Sequence, residues 1–268
     1  MFAGYNLVAD KALAQDFIKK GMIIYNENMK QVQKELDHFL QDDNSLNGTA
    51  MRDNWFPQIE ADVFISHSHK DQNIALGLAG WLKEHFGLTA FIDSSVWGYA
   101  GDLLKEIDDK HCLQNNGNYS YQKRNHSTSH VHMMLSTALT MMMDKTECLI
   151  FINSQNSIET KGAIEQTKSP WIYLEIAMSK LIRKIKPERE SVIIHKAFED
   201  LSEQLTINYN LDLNHLADIN YNHLISWYST FTEAINITKG QVHPLDVLYK
   251  QHGFIENLDI INEIMIVR

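Results

Sequence analysis

Residues 61–71 read Ala61-Asp62-Val63-Phe64-Ile65-Ser66-His67-Ser68-His69-Lys70-Asp71. The apolar run Val63-Phe64-Ile65 stops abruptly in a polar turn. The stretch 71–86 then carries Ile74, Leu78, Trp81, Leu82 and Phe86 at helical spacing. An apolar strand without polar alternation, followed at once by an amphipathic helix, is the βα unit of a parallel sheet covered on both faces. The alternation recurs outward along the chain. Residues 88–92 form a second strand, closed by Asp93, and 103–107 begin another helix. The apolar, Met-rich stretch 131–143 predicts a buried helix, and 148–152 a third strand. A helix over 170–185, strands at 191–195 and 216–219, and a helix over 221–235 complete the pattern. The expected fold class is α/β: a five-stranded parallel sheet with helices on both faces.

Flanking segments look different. Leu13, Phe17, Ile24, Met29, Val32, Leu36 and Phe39 give 7–42 a helical stripe, which Gly21 is expected to break or bend. A polar linker follows, so 1–58 is expected to be a helical extension outside the core. The polar stretch 111–128 is expected to be an inserted loop within a main domain of 59–236. Residues 237–268 are expected to form a C-terminal extension.

Composition narrows the function. The chain has 268 residues, 44% hydrophobic and 22% charged, with a formal net charge of −10. Such an acidic chain without a dense basic run is a poor nucleic-acid binder and is repelled by anionic lipid. Its two cysteines, Cys112 and Cys148, make neither a disulfide framework nor a four-ligand zinc site. No apolar stretch reaches the ~18 residues of a membrane span. The N-terminus lacks a secretory pattern, so a soluble cytoplasmic protein is expected.

In a parallel sheet, ligands bind beyond the carboxyl ends of the strands, where the strand order reverses. Three places qualify: the turn 66–69, the loop 93–101, and the segment from 152 to Pro170. The turn offers backbone N–H groups to a phosphate or an amide. The loop carries Trp97, Gly98 and Tyr99, which suit either a mobile lid over a flat ring or packing on the neighbouring helix. Ser169 and Pro170 suit a helix start, placing Trp171 and Glu175 on one face near the cleft. Leu174, Met178 and Leu181 define another, core-facing stripe, leaving Glu175 to solvent or to function. The pairs His67/His69 and His130/His132 do not make a metal site, and no nucleotide-binding glycine fingerprint or nucleophile elbow occurs.

Together these residues resemble a bacterial Toll/interleukin-1 receptor (TIR) domain. The first family motif is similar to 61–71. The loop after the second strand matches from Phe91-Ile92-Asp93 through Gly101-Asp102. The third motif is Ser169-Pro170-Trp171-Ile172-Tyr173-Leu174-Glu175, with Trp and Glu four apart. The resemblance spans roughly 60–236 and departs from the family at 111–128. It implies a flavodoxin-like fold and, for bacterial members, cleavage of NAD at the nicotinamide–ribose bond. On that basis Glu175 is the catalytic residue, Phe64 the cleft-wall aromatic and Trp171 the helix tryptophan. Ser66, His67 and Lys70 belong to the turn that approaches the diphosphate or the carboxamide. Asp93 shapes a lid loop that includes Trp97. NAD enters as substrate, with no resident cofactor or metal.

The chemistry suits these residues. Nicotinamide in NAD is already cationic and leaves without a strong acid. The sugar becomes oxocarbenium-like, and one carboxylate can steady it. A glutamate of ordinary pKa, ~4.3, is ionised at neutral pH unless its burial is severe. Water as acceptor gives ADP-ribose, an adenine nitrogen gives a cyclic isomer, and another nucleophile gives a conjugate. Stand-alone family members often act in antiphage defence, as in Thoeris-type systems, where the product is a messenger. The resemblance thus implies self-association, a phage trigger and a downstream effector. Two rivals stand beside it: a non-catalytic TIR adaptor, and an enzyme like a nucleoside deoxyribosyltransferase. A response-regulator receiver is excluded, because the third strand ends in Asn153-Ser154, without the Asp it needs.

Overall fold

The computed structural model describes residues 1–9, 15–29, 36–43, 45–161, 164–187 and 209–255. The elements run β1 (Ala3–Val8), α1 (Ile18–Met29), α2 (Gly48–Trp55), β2 (Val63–Ser66), α3 (Gln72–Phe86), β3 (Ala90–Ile92), α4 (Ser94–Ile107) and α5 (Tyr121–Lys145). They continue with β4 (Cys148–Asn153), β5 (Glu159–Lys161), β6 (Ile164–Thr167), α6 (Pro170–Leu181), β7 (Tyr209–Asn210), β8 (Ala217–Ile219), α7 (Tyr221–Thr238) and α8 (Pro244–Gln251).

Five strands form one open, all-parallel sheet in the order β3-β2-β4-β1-β8, consistent with a flavodoxin-like fold. Period-two alternation splits its side chains between two cores. Tyr5, Leu7, Val63, Ile65, Ile92, Ile150 and Ile152 face α3, α7 and α8. Phe64, Phe91, Leu149 and Phe151 face the opposite way, towards α2, α4, α5 and α6. β2, β3 and β4 are therefore apolar on both sides, which is why they read as continuous hydrophobic runs. Among the described residues no helix is long and apolar enough to cross a membrane.

Several expectations need correction. Residues 1–58 are not outside the core. Ala3–Val8 lies inside the sheet, pairing Ala3 with Cys148 and Leu7 with both Ile152 and Ile219. It occupies the place that a flavodoxin-like order gives to the fourth strand. The strand expected at 191–195 falls outside the described residues. Gly21 does not break a helix but sits inside α1, where a Cβ would lie 1.8 Å from the Leu76 carbonyl oxygen of α3. Only glycine permits that approach of two backbones. The C-terminal extension also joins the core: Leu245, Val247, Leu248 and Tyr249 of α8 are fully buried, and Trp227 Nε1 donates to the Pro244 carbonyl at 2.8 Å.

The stretch 111–128 is mostly not a loop either. α5 starts at Tyr121, behind a π-helical turn at Asp108–Cys112. Its first turns are polar because they project past the core, and Asp108 holds them. Arg124 Nε donates to Asp108 Oδ2 at 2.8 Å, and Ser127 Oγ donates to Oδ1 at 2.5 Å. Burial pushes the Asp108 carboxyl up, but the bonds from Ser127 and Arg124 outweigh it and hold the group below its usual value. Its stabilisation is therefore present above the unfolded pKa near 3.8 and is lost as pH falls through the lower folded value. Asp108→Ala is expected to cost about 1–3 kcal/mol at neutral pH. Urea denaturation would read that loss, and hydrogen exchange would show faster opening over 121–127.

Candidate functional site

Sheet order reverses between β2 and β4, and the polar residues gather there. Ser66 ends β2 and His67 follows it, Asp93 follows β3, and α6, which comes after β4, supplies Glu175. Each element is locally specified. Val63-Phe64-Ile65 buries as strand and releases the chain at Ser66. Asp93 caps α4 by accepting the Ser94 N–H at 2.7 Å. Ser169 caps α6 by accepting the Ile172 N–H at 3.3 Å, with Pro170 in the first turn.

Ser66, His67, Asp93 and Glu175 all have 0% exposure. Ser66 Oγ donates to Glu175 Oε2 at 2.6 Å. His67 Nδ1 lies 2.5 Å from Asp93 Oδ1, and the His67 backbone N–H reaches Asp93 Oδ2 at 3.4 Å. Burial raises the Glu175 carboxyl well above its ordinary value, and the neighbouring Asp93 charge raises it further. Asp93 is also raised, again by burial first, against the pull of its hydrogen bonds. Burial lowers His67 to about 4, so its imidazole is neutral at pH 7. The expected glutamate of ordinary pKa is therefore corrected: its burial is complete, and that burial raises the carboxyl.

The helix face carrying Glu175 is also corrected. Ile172, Glu175, Ile176 and Ser179 point into the core, whereas Leu181, expected there, is 73% exposed. Glu175 shares the buried face because its polar partners come from β2 and β3, which local spacing does not reveal.

The other expected site residues scatter. Phe64 is fully buried, its ring 5.2 Å from that of Phe91, so it lines the core and not an open cleft wall. Trp171 is half-buried, edge-on to His132 of α5 at 5.4 Å. Lys70 is exposed on a short 3-10 turn, His69–Asp71. The predicted lid loop is helical: residues 94–101 are the opening turns of α4, with Val96, Tyr99 and Ala100 buried. Trp97 lies in those turns, its side chain outside the described set.

One contributor was not singled out from the sequence. Asp71 is 3% exposed and accepts from Ser154 Oγ at 2.5 Å and from Asn156 Nδ2 at 2.7 Å. It pins the loop after β4 to the start of α3, beside the reversal in strand order. Its place directly after the His69-Lys70 pair, at the opening of a helix, was the available signal. At the opposite end of β4, Glu147, His243 and Asp246 bring one ligand atom each within 4.8 Å of one another. This group is remote from Glu175 in the sheet and plays no part in the site.

Comparisons with family models, curated proteins and solved structures give no match to this chain.

Proposed function

We propose that this protein is a TIR-like enzyme that cleaves NAD at the nicotinamide–ribose bond, with Glu175 as the reacting carboxylate. The observation that supports it is convergence. Three segments far apart in sequence bring Ser66, His67, Asp93 and Glu175 together where the strand order reverses, the place where such sheets bind ligands. The motifs quoted above are the ones whose residues meet there.

Chemically, the pyridinium leaves as neutral nicotinamide, and the ribose carries the positive charge. An ionised Glu175 beside that sugar steadies the cation, and Ser66 fixes the direction of one carboxylate oxygen. Trp171, only partly covered on α6, offers a flat face near the entrance. Products are ADP-ribose, a cyclic isomer or an ADP-ribose conjugate, according to the acceptor that reaches the sugar. Glu175 has no exposed surface, so the described conformation is a closed resting form, and turnover requires it to open. Self-association is the opening event this reading favours. The setting is cytoplasmic antiphage signalling, with a phage trigger and an effector reached through a nucleotide messenger.

Enclosure of Glu175 also favours one rival, a non-catalytic module that signals by assembling. Concentrated protein incubated with NAD, with nucleosides in parallel, separates the readings. Nicotinamide release with an ADP-ribose product, absent in Glu175→Gln, supports NAD cleavage. Base exchange on nucleosides alone would assign a deoxyribosyltransferase-like enzyme. No turnover in any assembled state would leave the adaptor.

A further inference from the structure

At the other end of β4 from the candidate site, a second set of titratable side chains converges. Glu147 stands in the short junction between α5 and β4, and His243 and Asp246 open α8. Two carboxylate oxygens and one imidazole nitrogen, one atom from each residue, lie within 4.8 Å of one another. All three residues are partly buried, so the cluster is shaped by the fold yet open to an entering ion.

The backbone beneath both arms is held in place. The Glu147 N–H donates to the Asp62 carbonyl at 3.2 Å, and the Glu147 carbonyl accepts the Phe2 N–H at 2.6 Å. On the facing side, Trp227 Nε1 donates to the Pro244 carbonyl at 2.8 Å, and the Asp246 N–H donates to the His243 carbonyl at 3.1 Å. His243 occupies the N-cap of α8, but its side chain makes no capping hydrogen bond. A residue of cap position whose ring lies with two carboxylates is placed for ligation, not for helix initiation. Lys145, two residues before Glu147, pairs with Glu60 at 2.6 Å. Tyr249, one turn beyond Asp246, gives a separate pointer. It is fully buried and its hydroxyl has no hydrogen-bond partner. Its ring packs edge-on against Phe2 at 4.9 Å, the residue bonded to Glu147. Burial raises this hydroxyl, and Cys148 and Glu147 add to the effect, so it stays a neutral donor. A water carried by a bound ion would supply the acceptor it lacks.

We infer that Glu147, His243 and Asp246 bind one divalent transition-metal ion, which fastens the start of α8 to the junction of α5 and β4. An imidazole beside two carboxylates suits zinc or manganese, whereas calcium and magnesium take all-oxygen shells. Donors around such an ion lie ~2.0–2.2 Å from it and so about 3–3.5 Å apart, which the side-chain ends reach by closing no more than about 1–2 Å. Three protein ligands leave a position for water. The ion joins the N-terminal half of the sheet to the C-terminal helix, so it stabilises the folded chain. The inference does not rest on the proposed activity, because Glu175 lies at the other end of β4.

Calorimetric titration of the chelator-treated full chain with zinc chloride and with manganese chloride tests it. One tight site per chain is expected, stronger for zinc than for manganese and weaker for calcium and magnesium. Zinc at about 100 times its Kd is expected to raise the melting temperature by about 5–10 °C. His243→Ala should lose both the tight site and the thermal shift, with circular dichroism confirming the fold. Glu147→Gln and Asp246→Asn, which keep side-chain size, should do the same and decide the matter if His243→Ala does not fold. Unchanged zinc uptake in these two variants would place the ion on other histidines and overturn the inference. No saturable uptake by wild type would overturn it too, leaving a protonated His243 between the carboxylates. Tighter binding of calcium than of zinc would overturn the assigned ligand set.

Discussion

Glu175→Gln is expected to reduce NAD cleavage by about 10²–10⁴-fold while the protein stays folded. The amide has the size and shape of the carboxyl, and its oxygen accepts from Ser66 as Glu175 Oε2 does at 2.6 Å. It also places no charge in a fully buried position, so at neutral pH the melting temperature should equal or exceed that of wild type. What the amide lacks is the ability to ionise when the site opens. Comparison of rates by product chromatography, with circular dichroism on the same samples, checks both halves. Undiminished turnover in a folded variant would remove Glu175 from the chemistry and the proposed activity with it.

Gly21→Ala and Gly80→Ala are expected to be the most destabilising single-methyl changes in α1 and α3. In an exposed helix, Gly→Ala stabilises by roughly 0.5–1 kcal/mol. Here the sign reverses. A Cβ on Gly21 would lie 1.8 Å from the Leu76 carbonyl oxygen, and one on Gly80 would lie 2.2 Å from that of Phe17. Both obstacles are backbone, so no side chain can turn aside and the helices must separate. Overpacking of this kind costs about 1–3 kcal/mol and sometimes more; rigid backbone on both sides places these variants at the upper end. The pair shares one contact, so the double variant should fall well short of the sum of the singles. Chemical denaturation midpoints measure this, and a wild-type midpoint for either variant would show that the two helices do not cross here.

How much was legible follows from where each residue finds its partners. β2, β3 and β4 and the helices α3, α6 and α7 were visible because a strand buried on both faces is an apolar run, and each helix carries a stripe; β8 was placed from the short segment ending at Ile219, although Asp218 within it is exposed. β1 was not. Gly4 and Asn6 interrupt its pattern, and Asn6 is acceptable in the sheet only because its Nδ2 donates to Asp218 Oδ1 at 2.8 Å. That partner lies on β8, near the far end of the chain. The opening turns of α4 were hidden by Gly98 and Gly101: the sequence reading starts a helix at 103–107, which is the end of α4, although Val96, Ala100, Leu103 and Ile107 fall on one helical face. The opening of α5 was hidden because its stabilising group, Asp108, precedes it by a full polar loop. Glu175 stood out by position, yet its complete burial and the raised carboxyl that follows from it arise only when the assembled fold closes over the helix face that carries it.

The placement of β1 between β4 and β8 bears on how the chain acquires its shape. On the ribosome β1 is made before either neighbour, and it has no adjacent hairpin in which to wait. The pairings of Ala3 with Cys148 and Leu7 with Ile219 are among the most distant in the molecule, and contacts of such span slow folding. Until β4 emerges, a buried-type segment with unpaired edges stays open to chaperones or to a second nascent chain.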